Sequence, residues 1–120
     1  SIPMEEKSFT LDALSVDSDF SGTMEIVDGE IVFHGTGSAW ADFLGFPANE
    51  LHNKPFLNFV FPEDLGIARE AVSNIVEGRN VKDVSLRLNT SEGEHVKVDF
   101  SALTKGNNWF WFAKKVLVEG

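Results

Sequence analysis

No cysteine occurs in the 120 residues. Disulfides, thiolate-held zinc, iron–sulfur clusters and thiol nucleophiles are excluded with it. The absence suits a reducing compartment, so a cytoplasmic setting is the expectation. No run approaches 18 apolar residues, which leaves no candidate helical membrane span. The opening Ser1-Ile2-Pro3-Met4-Glu5-Glu6 has neither the charged nor the apolar region of a secretory leader, and it lacks an initiator Met, as a segment of a larger protein would. Basic residues are scarce at first: residues 1–60 hold ten acids against Lys7 and Lys54, whereas residues 61–120 hold nine acids and eight bases. At a net charge of −9 the chain repels phosphate and anionic lipid, so neither nucleic acid nor membrane insertion is expected. The acidic half reads as a solubilising surface. Internal repeats and low-complexity tracts are also missing.

What is present is enough for one domain with a core. The chain is 42% hydrophobic and carries 11 Phe, and a chain of this size buries roughly two thirds of its unfolded surface. Phe9, Leu11, Leu14 and Val16 suggest a short helix or extended cap, followed by loop signals at Asp17-Ser18-Asp19 and Ser21-Gly22. Asp28-Gly29-Glu30 between Met24–Val27 and Ile31–His34 predicts a hairpin, because Asp and Gly tolerate positive φ. Gly35-Thr36-Gly37-Ser38 breaks the strand. Ser38 is placed to cap a helix that ends at Gly45, with Trp40, Phe43 and Leu44 on one face. Pro47 opens a short helix to about Leu51, and Pro55–Val60 forms a single turn. Pro62 starts the longest helix, with Glu63 and Asp64 at its positive end. Leu65, Ala68, Val72, Ile75 and Val76 form its apolar face, and Gly78 its C-terminal cap.

Three strands follow. Val84, Leu86 and Leu88 alternate with polar residues, as do Val96, Val98 and Phe100, which gives each strand one buried and one wetter face. Trp109-Phe110-Trp111-Phe112 is aromatic on both faces, so both must be covered. One face meets the core. The other meets the N-terminal segment or a second subunit.

This order of elements resembles a PAS domain. The matching pieces are Asp28-Gly29-Glu30-Ile31, Phe43-Leu44-Gly45-Phe46, Phe61-Pro62-Glu63-Asp64, and Ser91-Glu92-Gly93 followed by Val98-Asp99-Phe100-Ser101. The resemblance spans residues 22–118 and leaves residues 1–21 as an N-terminal cap. It implies an α+β fold: a five-stranded antiparallel sheet of order 2-1-5-4-3 with short helices on one face enclosing a ligand pocket. It also implies a non-catalytic sensory module that serves signal transduction, for example in a two-component system. Such modules feed an output domain of the same chain, a kinase, cyclase or receptor, and often form a homodimer through the N-terminal helix and outer sheet face. Two departures stand out. Gly37 replaces a frequent Asn after the second strand, and Ala113-Lys114-Lys115-Val116-Leu117 replaces the usual coupling motif.

Pocket walls could come from Trp40, Phe43, Leu44, Phe56, Phe59, Leu86, Phe100 and Trp111. A core filled by these side chains, without cofactor, is the first expectation; a small organic or fatty-acid-like guest and a non-covalent flavin are alternatives. Without Cys, a flavin–cysteinyl adduct or a thioester-linked chromophore is excluded. Haem is disfavoured, because the helix from Pro62 to Glu77 lacks the axial His that haem-binding members supply; His34, His52 and His95 have no metal-ligand spacing. Arg87 could hold a ligand carboxylate if it faced inward, but its alternation with Leu86 and Leu88 sets it outside. The interface candidates are Phe9, Leu11, Leu14, Phe110 and Phe112. An enzyme of ketosteroid-isomerase type, with Asp42 or Asp99 as general base, is the alternative function.

Overall fold

Turn chemistry and side-chain alternation set the frame of the sheet. In the computed structural model, which describes residues 10–34 and 38–117, Asp28 and Gly29 take φ of 51° and 78°. Positive φ at both positions makes a two-residue turn whose twist matches that of paired strands. It joins β1 (Phe20–Val27) to β2 (Glu30–His34), with Val27 opposite Glu30. After the helices come β3 (Val81–Asn89), β4 (His95–Lys105) and β5 (Asn108–Lys115). The five strands are ordered β2-β1-β5-β4-β3, and every neighbouring pair is antiparallel.

Six helical pieces complete the fold among the described residues. They are α1 (Leu11–Asp17), α2 (Ser38–Leu44), α3 (Ala48–Leu51), a 3-10 turn over Phe56–Phe59, and a second 3-10 turn over Pro62–Asp64 leading into α4 (Leu65–Val76). Thr10 caps α1 by accepting the Ala13 N–H at 3.1 Å. Gly78 ends α4: its N–H reaches the Ile75 carbonyl at 2.9 Å while Arg79 N–H reaches Asn74 at 2.8 Å, the paired bonds of a Schellman stop. Gly45, at φ +83°, ends α2. A Cβ there would lie 2.5 Å from Ser91 Oγ, so glycine serves both the backbone turn and the docking of α2 on the β3–β4 connection.

The core lies between the helices α2–α4 and one face of the sheet, with Leu86, Leu88, Val98, Phe100 and Trp111 rising from β3, β4 and β5. The other face carries a smaller cluster of Leu14, Leu103 and Phe112, with Leu11 and Phe110 packed against it. Helix α1 is thus the outer cover of β5, and the aromatic strand is sandwiched within a single chain.

Several expectations change. Ser21 and Gly22 lie within β1, not in a loop, so a boundary at residue 22 would fall inside a strand. Ser38 is the first residue of α2 rather than its cap. On α4, Val76 is 39% exposed and Ala71 is buried in its place, because the buried stripe runs through Ala68, Ala71, Val72 and Ile75 at spacings of three and four, and Val76 falls on its margin. Phe9 and Gly37 lie outside the described residues.

Gly22 has a packing reason. It stands opposite Trp111, and a Cβ on it would sit 2.6 Å from the indole Nε1. The bare Cα lets the Trp111 ring lie across β1 and stack on Phe33 of β2, centroids 4.5 Å apart and planes 4° from parallel. Gly22→Ala is expected to destabilise the fold by about 1–3 kcal/mol through overpacking, read by urea unfolding. An unchanged midpoint would mean that the indole has somewhere else to go. Phe112→Ser is expected to cost about 3 kcal/mol in the same assay, with no change in the mass of the assembly by light scattering.

Candidate ligand site

The inner aromatics meet one another edge and face. Phe33 stacks on Phe56 at 5.2 Å and Phe56 on Phe100 at 4.8 Å, while Trp40 leans on Trp111 at 4.9 Å. Such offset contacts add about 0.5–1.5 kcal/mol each beyond the area that they bury. Phe20, from the start of β1, closes the far end against Trp40 and Phe43. The indole Nε1 of Trp111 is buried in this cluster with no hydrogen-bond acceptor among the described residues.

Beside the stack, a hollow of about 10 Å3 remains under α2, α3 and the Phe56–Phe59 turn. That is near the space needed for one water molecule. Of the residues that the sequence offered as pocket walls, Trp40, Leu44, Phe56 and Phe59 line it. Leu86, Phe100 and Trp111 belong to the packed core but not to this lining, and Phe43 packs on Phe20 instead. Phe33, Leu51, Lys54 and Leu88 complete the wall and were not singled out. Leu88 had a signal, since it alternates with polar neighbours on its strand; Phe33 sits in the unbroken apolar run Ile31-Val32-Phe33 and, like Lys54, had none.

The histidines divide into two groups. His34 Nε2 is 2.6 Å from Glu25 Oε2, and its ring meets that of His52 at 5.5 Å, so two residues distant in sequence become neighbours. His95 lies against Phe61, centroids 4.7 Å apart. Among the described residues no three His, Cys, Asp or Glu side chains are grouped to hold a metal ion.

Arg87 faces away from the hollow and is occupied. Its Nε and a terminal nitrogen donate to the two Asp64 carboxylate oxygens at 3.0 and 2.7 Å, and its backbone N–H donates to Asp64 Oδ2 at 2.7 Å. Phe61 N–H donates to the Arg87 carbonyl at 2.9 Å, the guanidinium carbon sits 4.7 Å above the Phe61 ring, and Glu63 adds a longer contact at 3.6 Å. The segment before α4 therefore covers the free edge of β3, where bare N–H and C=O groups would invite another strand. Asp64 is a clamp, not only the helix-dipole partner that its position suggested.

The same arrangement of strands and helices recurs in solved structures. The dark-state LOV domain of the blue-light photoreceptor Aureochrome1 aligns with a TM-score of 0.71 at 13% identity, covering 98% of this chain and 86% of that one. The PAS-B domain of Drosophila melanogaster Cycle, with bound ethylene glycol, gives 0.67 at 13% identity over 81% and 99% of the two chains. The fold is that of a PAS domain. A domain of a sensory box sensor histidine kinase/response regulator from Geobacter sulfurreducens gives 0.63 at 17% identity, with 90% and 99% covered. No family sequence model matches the chain, and no curated protein matches it in sequence.

Hydrogen bonds from the Arg87 side chain hold the Asp64 carboxyl below its ordinary value, and Asp64 in turn raises Arg87. A depressed carboxyl stabilises the fold above its unfolded pKa, near 4, and loses that contribution as pH falls through the folded value. Asp64→Asn should therefore cost about 1–2 kcal/mol at pH 7, and the difference from the parent should shrink below about pH 4. Urea unfolding at pH 7 and pH 3 checks this; an equal difference at both pH values would rule out the charge as the source.

Proposed function

We propose that this PAS domain is a sensory module of a larger signalling protein, taking a small guest beneath α2 and α3 and passing the change to an output domain of the same chain. The observation that carries it is the aromatic-lined hollow between the short helices and the sheet, closed by segments with little secondary structure of their own. Support comes from neighbours of the same fold: one is a blue-light photoreceptor domain, one belongs to a sensor histidine kinase and one holds ethylene glycol.

Flavin, which another light-oxygen-voltage neighbour uses in analogue form, does not fit these residues as packed. Sites for drug-sized ligands run to about 300–1,000 Å3, against a hollow of about 10 Å3 here. A guest must displace a side chain, which favours one the size of a ring over a tricyclic cofactor.

The enzyme alternative finds weak ground. Asp42 is exposed, and Asp99 lies on the outer sheet face where Ser85 Oγ donates to it at 2.7 Å. The buried carboxylate, Asp64, is held in its charged form by Arg87, opposite to what a general base in an apolar pocket requires. Homodimerisation through the outer face would use the half-buried Leu11 and Phe110, because Leu14 and Phe112 are already covered within the chain.

Native mass spectrometry of the purified protein, with an absorbance scan of the same sample, tests the reading. A mass above that of the chain, without visible colour, is the expected outcome. A flavin or haem spectrum would overturn the small-guest reading. The bare chain mass, with no thermal shift in a screen of small metabolites, would overturn ligand sensing and leave an interaction module.

A further inference from the structure

The wall of the hollow has one charged residue, Lys54, among seven apolar ones. Lys54 sits in the connection after α3, where Asn53 takes φ +61° and the Lys54 N–H reaches the Leu51 carbonyl at 3.4 Å. Its ammonium has no hydrogen bond or ion pair among the described residues. In residues 1–60 the only other base is Lys7, against ten acids. A lone cation at the mouth of an apolar slot, within the acidic half of the chain, makes a local exception to a surface that otherwise repels anions. Arg87, the other cation that could have received a ligand carboxylate, is fully engaged by Asp64.

Size narrows the guest. The hollow must grow by about one side chain to admit anything beyond water. Phe59 is the wall ring placed to yield: it is half-buried, on a single 3-10 turn, and rests edge-to-face on Phe46 at 5.6 Å. Trp40 and Phe56 are buried in the stack and cannot move without breaking it. Turning Phe59 outward would leave a slot of ring size with aromatic walls and Lys54 in its lining, an exposed side chain long enough to bring its ammonium to the rim.

We propose that the site takes a small aromatic monocarboxylate, its ring replacing that of Phe59 against Trp40 and Phe56 and its carboxylate paired with Lys54. The proposal rests on the ligand-sensing reading above and adds the charge and size of the guest.

The test uses benzoate and its neutral analogue benzamide as probes, followed by amide chemical-shift titration and calorimetry. With the parent protein, benzoate is expected to bind roughly ten-fold more tightly than benzamide, as a charge-assisted hydrogen bond provides. Lys54→Gln should erase that preference while leaving amide binding unchanged, and Lys54→Arg should keep it. Phe59→Ala should tighten both probes. Equal affinity for the two probes, or a preference that survives in Lys54→Gln, would overturn the carboxylate assignment while leaving the site itself in place. If neither probe binds the parent or the Phe59→Ala variant, or if the shifts map away from Trp40, Lys54 and Phe59, the site and the sensing reading fall together.

Discussion

The Trp111 indole lying flat over Gly22 governs how the inner face is organised. Strands two apart in a sheet are separated by roughly 10 Å, too far for most side chains to stack. Here the missing Cβ at Gly22 removes the obstacle on the strand between them, and Trp111 of β5 meets Phe33 of β2 face to face. From that contact the ring sequence runs on through Phe56 to Phe100, which ties β2, the Phe56–Phe59 turn and β4 into one apolar unit. The hollow is what this stack leaves unfilled. Its size and its ring-lined walls are consequences of where Trp111 comes to rest, and so is the stranded indole N–H. An unpaired buried donor costs about 1–3 kcal/mol, which the stacking contacts around it offset.

A second constraint acts at the sheet's edge. β3 is an outer strand, and its backbone would be open to a foreign strand without cover. One carboxylate, Asp64, takes both the Arg87 N–H and its guanidinium, while Phe61 takes the carbonyl of the same residue. Val60 pairs with Leu88 beside them. The clamp also fixes where α4 begins, so the helix that roofs the core and the strand that ends the sheet are set by the same few atoms.

Much of this was legible from the sequence because it depends on local rules. Asp28-Gly29 marked the hairpin, Gly78 the end of α4, and the alternation through Val84–Leu88 and Val96–Phe100 the buried faces. The doubly aromatic β5 announced two covers before either was known. What failed depends on contacts distant in sequence. Ser21-Gly22 carries the composition of a turn, and only the indole opposite explains a glycine inside a strand. Asp64 looked complete as a helix-terminal acid, since nothing nearby in the chain points to Arg87. The lining of the hollow divides in the same way: Trp40, Leu44, Phe56 and Phe59 are apolar residues on short helices whose place beside it the pattern suggests, whereas Lys54 is an ordinary surface lysine until the fold sets it in the hollow's wall.

The segment leading into the sheet and the segment leaving it are held together at one corner. Asp19 N–H donates to the Ala113 carbonyl at 3.0 Å, and the Asp19 carboxylate receives the Lys115 N–H at 2.7 Å. Lys114 reaches Asp17 at 3.3 Å. Mechanically, a load on both ends of the domain would meet at one corner, like a pendant on a single ring rather than a bead strung through its middle. Tension applied along the chain would be borne by these few bonds before any of it reached the sheet. A tilt of β5 against α1 would instead change the angle between the two departing segments, converting a small internal displacement into a rotation outside the domain.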